Sequence, residues 1–224
     1  MFITFEGPEG SGKSTQITLL AETLEQAGWT VLSTREPGGV AVAERLREIV
    51  LHDKLTSEAE ALIFLAARAE HAHSRILPAL AAGKIVLCDR FSDSTLAYQG
   101  YGLGLDLELL RSLCTFAESG AKPDVTLLMD LDPAIGLSRR FGAQPMLDLG
   151  LQGAVPGSQL ANRMEHRGID FHQRVHKGFL AEADLNRDRI AVIDASQSIK
   201  QVRTRIWSEV KRRLPARRKS GGSG

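Results

Sequence analysis

The sequence predicts an α/β fold in which a parallel sheet is flanked by helices, and three observations predict it. Short apolar runs alternate with longer segments of helical periodicity, as consecutive βα units require. Three of those runs end on an aspartate, at Asp89, Asp130 and Asp194. The first run, Phe2-Ile3-Thr4-Phe5, leads directly into Gly7-Pro8-Glu9-Gly10-Ser11-Gly12-Lys13-Ser14, which fits the pattern G-x-x-x-x-G-K-[ST]. The pattern needs a strand before it and a helix after it, and both are present.

Glycines in such a loop let successive backbone N–H groups converge on phosphate oxygens, and the helix behind adds the positive end of its dipole. Lys13 supplies a full charge for the β- and γ-phosphates, and Ser14 a hydroxyl for the Mg²⁺ that bridges them. The expectation is therefore a phosphate-loop (P-loop) NTPase fold holding a nucleoside triphosphate over residues 7 to 15.

Taken in order, residues 2 to 6 read as a fully buried strand and 13 to 27 as a helix closed by Gly28, with Ile17, Leu19, Leu20 and Leu24 facing inward. A short strand is expected at 30 to 33. Residues 35 to 39 read as a loop, because Pro37 keeps Glu36 out of helix and two glycines follow. Helices are expected over 41 to 51 and 57 to 82, the second capped by Thr56 or Ser57 with Glu58 and Glu60 in its first turn. Strands follow at 84 to 88, 125 to 129 and 190 to 193, with helices between and a last helix over 199 to 214. In a parallel sheet, ligands bind beyond the carboxyl ends of the strands, so the loop at 7 to 14, the loop at 35 to 39 and Asp89-Arg90 should gather at one edge.

Composition narrows the function. The chain of 224 residues fits one domain over 1 to 214, followed by a basic, Gly/Ser-rich tail over 215 to 224. Twenty-eight Lys and Arg against 27 Asp and Glu leave no global field for a nucleic-acid backbone or an acidic membrane, so phosphate binding must be local. Neither a leader segment nor a membrane span is legible, and Cys88 and Cys114 as the only thiols suggest a reduced, cytoplasmic protein.

Residues 141 to 160, rich in Gly, Pro and Gln, read as a mobile lid segment flanked by Arg139-Arg140 and Asn162-Arg163. A GTP-dependent switch would carry D-x-x-G and N-K-x-D, and neither occurs. Arg35, Arg47, Arg68, Arg90, Arg139, Arg140 and Arg163 point instead to a second anionic substrate, since one nucleotide does not need so many forked cations. His172 and His176 lie a helical turn apart, but Gln173 stands where H-E-x-x-H has an acid and no third ligand is evident. His71 and His73 fall on different sides of a helix and suggest only solvated or lining positions.

Three motifs in order, Glu6-Gly7-Pro8-Glu9-Gly10-Ser11-Gly12-Lys13-Ser14-Thr15, Thr34-Arg35-Glu36-Pro37-Gly38-Gly39, and Asp89-Arg90-Phe91 with Ser94-Thr95-Leu96-Ala97-Tyr98-Gln99-Gly100, make the chain resemble the bacterial thymidylate kinases over residues 1 to about 214. The resemblance implies a five-stranded nucleoside-monophosphate-kinase fold with a lid at about 139 to 165, transfer of the ATP γ-phosphoryl group to dTMP, Mg²⁺, and a homodimer. A kinase for another nucleoside monophosphate, or a nucleotide-gated binding module, is the alternative.

By the same resemblance, Arg90 and Arg47 would hold the dTMP phosphate, with Asp89 positioning Arg90 and the water shell of the metal. Glu9 would face the sugar 3'-hydroxyl or the metal. Phe64 would stack on thymine, Arg68 would bond its carbonyl oxygen, Ser94, Thr95 and Gln99 would complete the base and phosphate contacts, and Tyr98 would crowd the 2' position. Because Gly10 and Ser11 are uncharged, a lid arginine is required at the transferred group, with Arg163 matching best and Arg139 and Arg140 as the other candidates.

Overall fold

The computed structural model describes residues 1–141 and 167–215. Five strands, β1 (Phe2–Glu6), β2 (Val31–Arg35), β3 (Ile85–Asp89), β4 (Val125–Asp130) and β5 (Ile190–Asp194), form one parallel sheet in the order β2-β3-β1-β4-β5. Flanking it are α1 (Lys13–Gln26), α2 (Ala41–His52), α3 (Ser57–His71), α4 (Leu77–Ala81), α5 (Ser92–Thr95), α6 (Leu107–Glu118), α7 (Pro133–Phe141), α8 (Ile169–Leu185) and α9 (Ile199–Lys211).

The continuous apolar runs are explained by burial on both faces of the sheet. Odd-numbered side chains of β1, Ile3 and Phe5, join Ile85, Leu87, Leu127 and Met129 against α1 and α9. The even side meets the other layer: Phe2, Val86 and Cys88 pack with Ala72, Ile76 and Phe91, and Leu128 packs with Tyr98, Phe171 and Phe179. Thr4 and Thr126 also lie fully buried, satisfied by each other at 2.7 Å, while Thr126 further reaches Asp93, itself held by both terminal nitrogens of Arg189.

Several expected boundaries shift. β2 runs two residues further than its apolar content indicates, because Arg35 still pairs with Asp89 across the ladder. The helix expected over 57 to 82 is one helical course in three pieces, since a π-helical turn, Ala72–Ile76, lies between α3 and α4. Thr56 is its cap, accepting from Ala59 N at 3.3 Å. The last helix ends at Lys211, and Leu19 is only half-buried on α1. A second π-helical segment, Leu96–Gly102, continues α5 and carries Tyr98 and Gln99. The expected lid core, Arg163 and the end of the tail fall outside the described residues.

The carboxyl ends of the strands bring the three motifs together. The N–H of Arg90 donates to the Phe5 carbonyl and that of Glu36 to the Asp89 carbonyl, which lashes the loops after β1, β2 and β3 into one edge.

Candidate active site

The phosphate loop is shaped by backbone that a side chain would obstruct. Gly7 has φ 128°, where a β-carbon would strike the Met129 carbonyl, and Gly10 has φ 69°, with the Gly136 carbonyl of α7 in the same position. Gly12, with φ 86°, starts α1, and no side chain caps that helix, so its first N–H groups remain for an anion.

Lys13 is buried and folds over its own loop, donating to the Gly7 and Pro8 carbonyls at 2.9 and 2.8 Å and reaching Ser11 Oγ at 3.4 Å. Burial, reinforced by Arg90, pushes its ammonium down to about 8 against the pull of Asp89, Glu9 and Glu6.

A cavity of about 310 Å³ opens beside this loop. It is lined by Glu9, Lys13, Ser14, Asp89 and Arg90 from the phosphate loop, α1 and the end of β3, and by Phe64, Arg68, Thr95, Tyr98 and Gln99 from α3 and the helical segment after β3. Arg35, Arg47 and Ser94 line it as well, so every expected substrate residue is gathered here. Arg47 is anchored through Nη1 to the Pro37 carbonyl at 3.0 Å.

Arg90 sits at a strained backbone position, φ 69°, which is uncommon for a residue with a β-carbon. The turn sends its guanidinium toward Glu9 Oε1 (2.7 Å), Ser94 Oγ (3.3 Å) and the Gly7 carbonyl (3.4 Å), with the Tyr98 ring beneath it. The resemblance implied that Asp89 positions Arg90; the Arg90 guanidinium donates instead to Glu9 and Ser94, while Asp89 accepts from Ser14 Oγ at 2.9 Å.

Glu9 also accepts from the Tyr98 hydroxyl at 2.6 Å, and His172 Nδ1 lies 4.0 Å from it. Burial would raise its carboxyl, but Arg90, Lys13, Tyr98 and His172 outweigh that and hold it below the ordinary range. The carboxylate in an anion-binding loop is thus explained by the cation it aligns.

Arg68 is 2% exposed and held on two sides, Nε on Glu36 Oε2 at 2.8 Å and Nη1 on Thr95 Oγ1 at 2.9 Å. Glu36 is in turn bonded to His71 Nδ1 at 3.0 Å, and His71 Nε2 to Thr34 Oγ1 at 2.7 Å. His71 is therefore a fully buried tether and not a solvated residue, a role its spacing from Arg68 on α3 could have suggested. His176 pairs with Asp130 at 2.6 Å, whereas His172 faces Glu9.

A divalent cation fits beside the phosphate loop. Ser14 and Asp89 are joined there, and Asp89 Oδ1 is buried with no hydrogen-bond partner among the described residues, an acceptor turned to no protein donor. Among those residues no cluster of three or more His, Cys, Asp or Glu could hold a metal alone, which suits an ion that takes most of its oxygen ligands from phosphates and water. Arg139 lies in the last turn of α7 and donates to the Ala195 carbonyl at 3.2 Å.

Glu6 ends β1 at the base of the loop. It is fully buried between Phe91 N at 2.7 Å and Ser94 Oγ at 2.5 Å, and burial with Asp93 nearby pushes its carboxyl up to about 8 despite Ser94, Arg90 and Phe91 N. Between its ordinary value of 4.5 and about 8, the folded protein holds a proton that the unfolded chain has lost. Stability from this group is therefore complete at low pH and lost as pH rises through that window. Glu6→Gln, neutral throughout, is expected to gain in Tm relative to wild type between pH 6 and pH 9. Parallel melting curves for the two proteins would disprove the assignment.

Comparison with known proteins follows the same lines. A family model described as thymidylate kinase matches residues 5–206. The thymidylate kinase of Synechococcus sp. strain JA-3-3Ab is 50% identical over 217 residues, which is 96% of this chain and 98% of that protein. That of Solidesulfovibrio magneticus is 48% identical over 213 residues, covering 94% and 98%. The crystal structure of thymidylate kinase from Ehrlichia chaffeensis superposes with a TM-score of 0.73 at 35% identity, covering 94% of this chain and 98% of that one.

Proposed function

The chain belongs to the thymidylate kinase family, and we propose that its cavity is where the γ-phosphoryl group of ATP passes to dTMP, giving dTDP and ADP. It is a phosphotransferase acting on dTMP. The observation that carries the residue-level reading is that one cavity is lined by Lys13 and Arg90 together with Phe64, Arg68 and Gln99.

The acceptor is an oxygen of the dTMP phosphate, already anionic near neutral pH, so no general base has to create the nucleophile. A bond forms from that oxygen to the γ-phosphorus as the bond to the β-phosphate bridging oxygen breaks. The work left to the protein is alignment and charge neutralisation of two anions. Lys13 and the backbone N–H groups of Gly10, Ser11, Gly12, Ser14 and Thr15 take the donor phosphates. Arg90 and Arg47 take the acceptor phosphate, Arg90 pre-aimed by Glu9. Phe64 stacks on the base, and Tyr98, pinned to Glu9, closes the sugar's 2' side. With the Arg90 contact fixed, Glu9 has lone pairs left for the 3'-hydroxyl or the metal's water.

Ser14 and Asp89 are the residues that would hold Mg²⁺, which supplies positive charge across the β- and γ-phosphates. A lid arginine, Arg163 ahead of Arg139 and Arg140, would supply the positive charge that the loop itself lacks. The homodimer has support in large exposed apolar side chains on adjoining helices, Leu62 on α3 and Leu109 and Phe116 on α6. No helix among the described residues is long and apolar enough to cross a membrane, and two buried free thiols accord with a reduced cytoplasmic setting.

Coupled measurement of ADP release with a panel of acceptors tests the reading. Turnover should be fastest with dTMP, and dUMP should fall behind by roughly 10- to 200-fold at most, as one methyl group in an apolar pocket allows. Equal turnover of UMP, or a preference for thymidine, would sink it.

A further inference from the structure

Two buried carboxylates, Glu36 and Glu60, hold side chains of the cavity wall, and Glu36 itself lines the cavity. Glu36 anchors Arg68, as described. Glu60, 1% exposed, accepts from Gln99 Nε2 at 3.1 Å through Oε1 and from Arg167 Nη2 at 2.9 Å through Oε2. Gln99 lines the cavity and Glu60 does not.

A carboxylate ion-paired to an arginine accepts hydrogen bonds and donates none. The Gln99 amide must therefore turn its NH₂ toward Glu60, which leaves its carbonyl oxygen as the group offered to a ligand. On the opposite side, Arg68 can only donate, and with Nε and Nη1 occupied by Glu36 and Thr95 it has Nη2 to offer. Between them these two side chains present one acceptor and one donor, each fixed by a buried carboxylate. Their complement is a ring N–H beside a carbonyl, as in N3–H and O4 of thymine or uracil. Cytosine has a bare N3 and a 4-amino group, and inverts both.

We propose that Glu60 is a specificity-positioning residue: by fixing the orientation of the Gln99 amide, it makes the pocket select a 4-oxo over a 4-amino pyrimidine nucleotide. The inference rests on the reading of this cavity as the dTMP site, and concerns a choice separate from that of the 5-methyl group.

The test compares kcat and KM for dTMP and dCMP in wild type, Glu60→Gln and Gln99→Leu, with the KM for ATP and Tm as controls. A glutamine at position 60 can accept from Gln99 or donate to it, so both amide orientations become populated. In Glu60→Gln the kcat/KM preference for dTMP over dCMP is expected to fall at least about tenfold, the dTMP KM to rise about three- to tenfold, and kcat and the KM for ATP to stay near wild type. A folded Glu60→Gln enzyme with an unchanged preference overturns the proposal, because a merely structural role for Glu60 would leave that ratio alone.

Gln99→Leu separates the two levels. Loss of preference there with none in Glu60→Gln defeats the positioning role alone, whereas wild type that ignores dTMP, or Gln99→Leu that keeps its preference, defeats the site reading beneath it. Should Glu60→Gln fail to fold, Glu60→Asp draws the acceptor back by one methylene, out of reach of Gln99 Nε2; its preference for dTMP over dCMP should fall in the same direction, and a folded enzyme with an unchanged preference overturns the proposal.

Discussion

Lys13→Ala is expected to lower kcat by roughly 10²- to 10³-fold while leaving the KM for dTMP within about threefold of wild type. The reason lies in where the ammonium sits. It is buried on the Gly7 and Pro8 carbonyls, with its proton affinity reduced by burial and by Arg90. Phosphate oxygens of the donor are better partners than two neutral carbonyls, so its full charge is realised once the triphosphate is in place and matters most as charge shifts toward the β-phosphate. The base and sugar of dTMP are held by other residues, so their contribution to KM survives. Steady-state kinetics with dTMP varied at saturating ATP checks this, and a variant with normal kcat would refute the assignment of Lys13 to the donor.

Arg68→Ala is expected to act on the acceptor, raising the KM for dTMP by roughly 30- to 150-fold through loss of about 2–3 kcal/mol of charged hydrogen bonding. It carries a second cost. Arg68 and Glu36 are 3% and 5% exposed at the side chain, and removing one partner of such a pair leaves the other buried without compensation, at about 3–5 kcal/mol. The variant should therefore melt measurably lower. Arg68→Lys separates the two effects: its point charge can satisfy Glu36 but cannot also reach Thr95 and a base carbonyl as a fork does. Its Tm should recover most of the loss while the dTMP KM stays raised. Recovery of both would mean that Arg68 only supports the fold.

The sheet and phosphate loop were legible in the sequence because their causes are local. Strands buried on two faces spell continuous apolar runs, and a loop that must hold positive φ spells glycine at Gly7, Gly10 and Gly12. Arg90 was found through its motif, Arg47, Phe64 and Arg68 through the family resemblance, and the structure brings them to one cavity. The buried acids were not found, because a charge gives no local sign of the partner that neutralises it. Glu60 read correctly as an acid in the first turn of α3, where the helix dipole favours one, yet its partners Gln99 and Arg167 come from distant parts of the chain. Glu36 read as a loop residue before a proline, and its grip on Arg68 and His71 needs α3 packed beside β2. Arg90 stands next to Asp89 in the sequence, and only the left-handed turn at Arg90 shows why its guanidinium meets Glu9. The extra residues of β2 were missed because an edge strand ending in Ser33, Thr34 and Arg35 lacks the apolar signal of a central one.

The proposed function divides these residues into a donor set and an acceptor set. Initial rates with ATP and dTMP each varied, for wild type, Lys13→Ala and Arg68→Lys in one series, test that division most directly. Loss of kcat with dTMP KM preserved in Lys13→Ala, and a raised dTMP KM with most of kcat preserved in Arg68→Lys, is the expected result. The reverse pattern, or the same change in both variants, would contradict it.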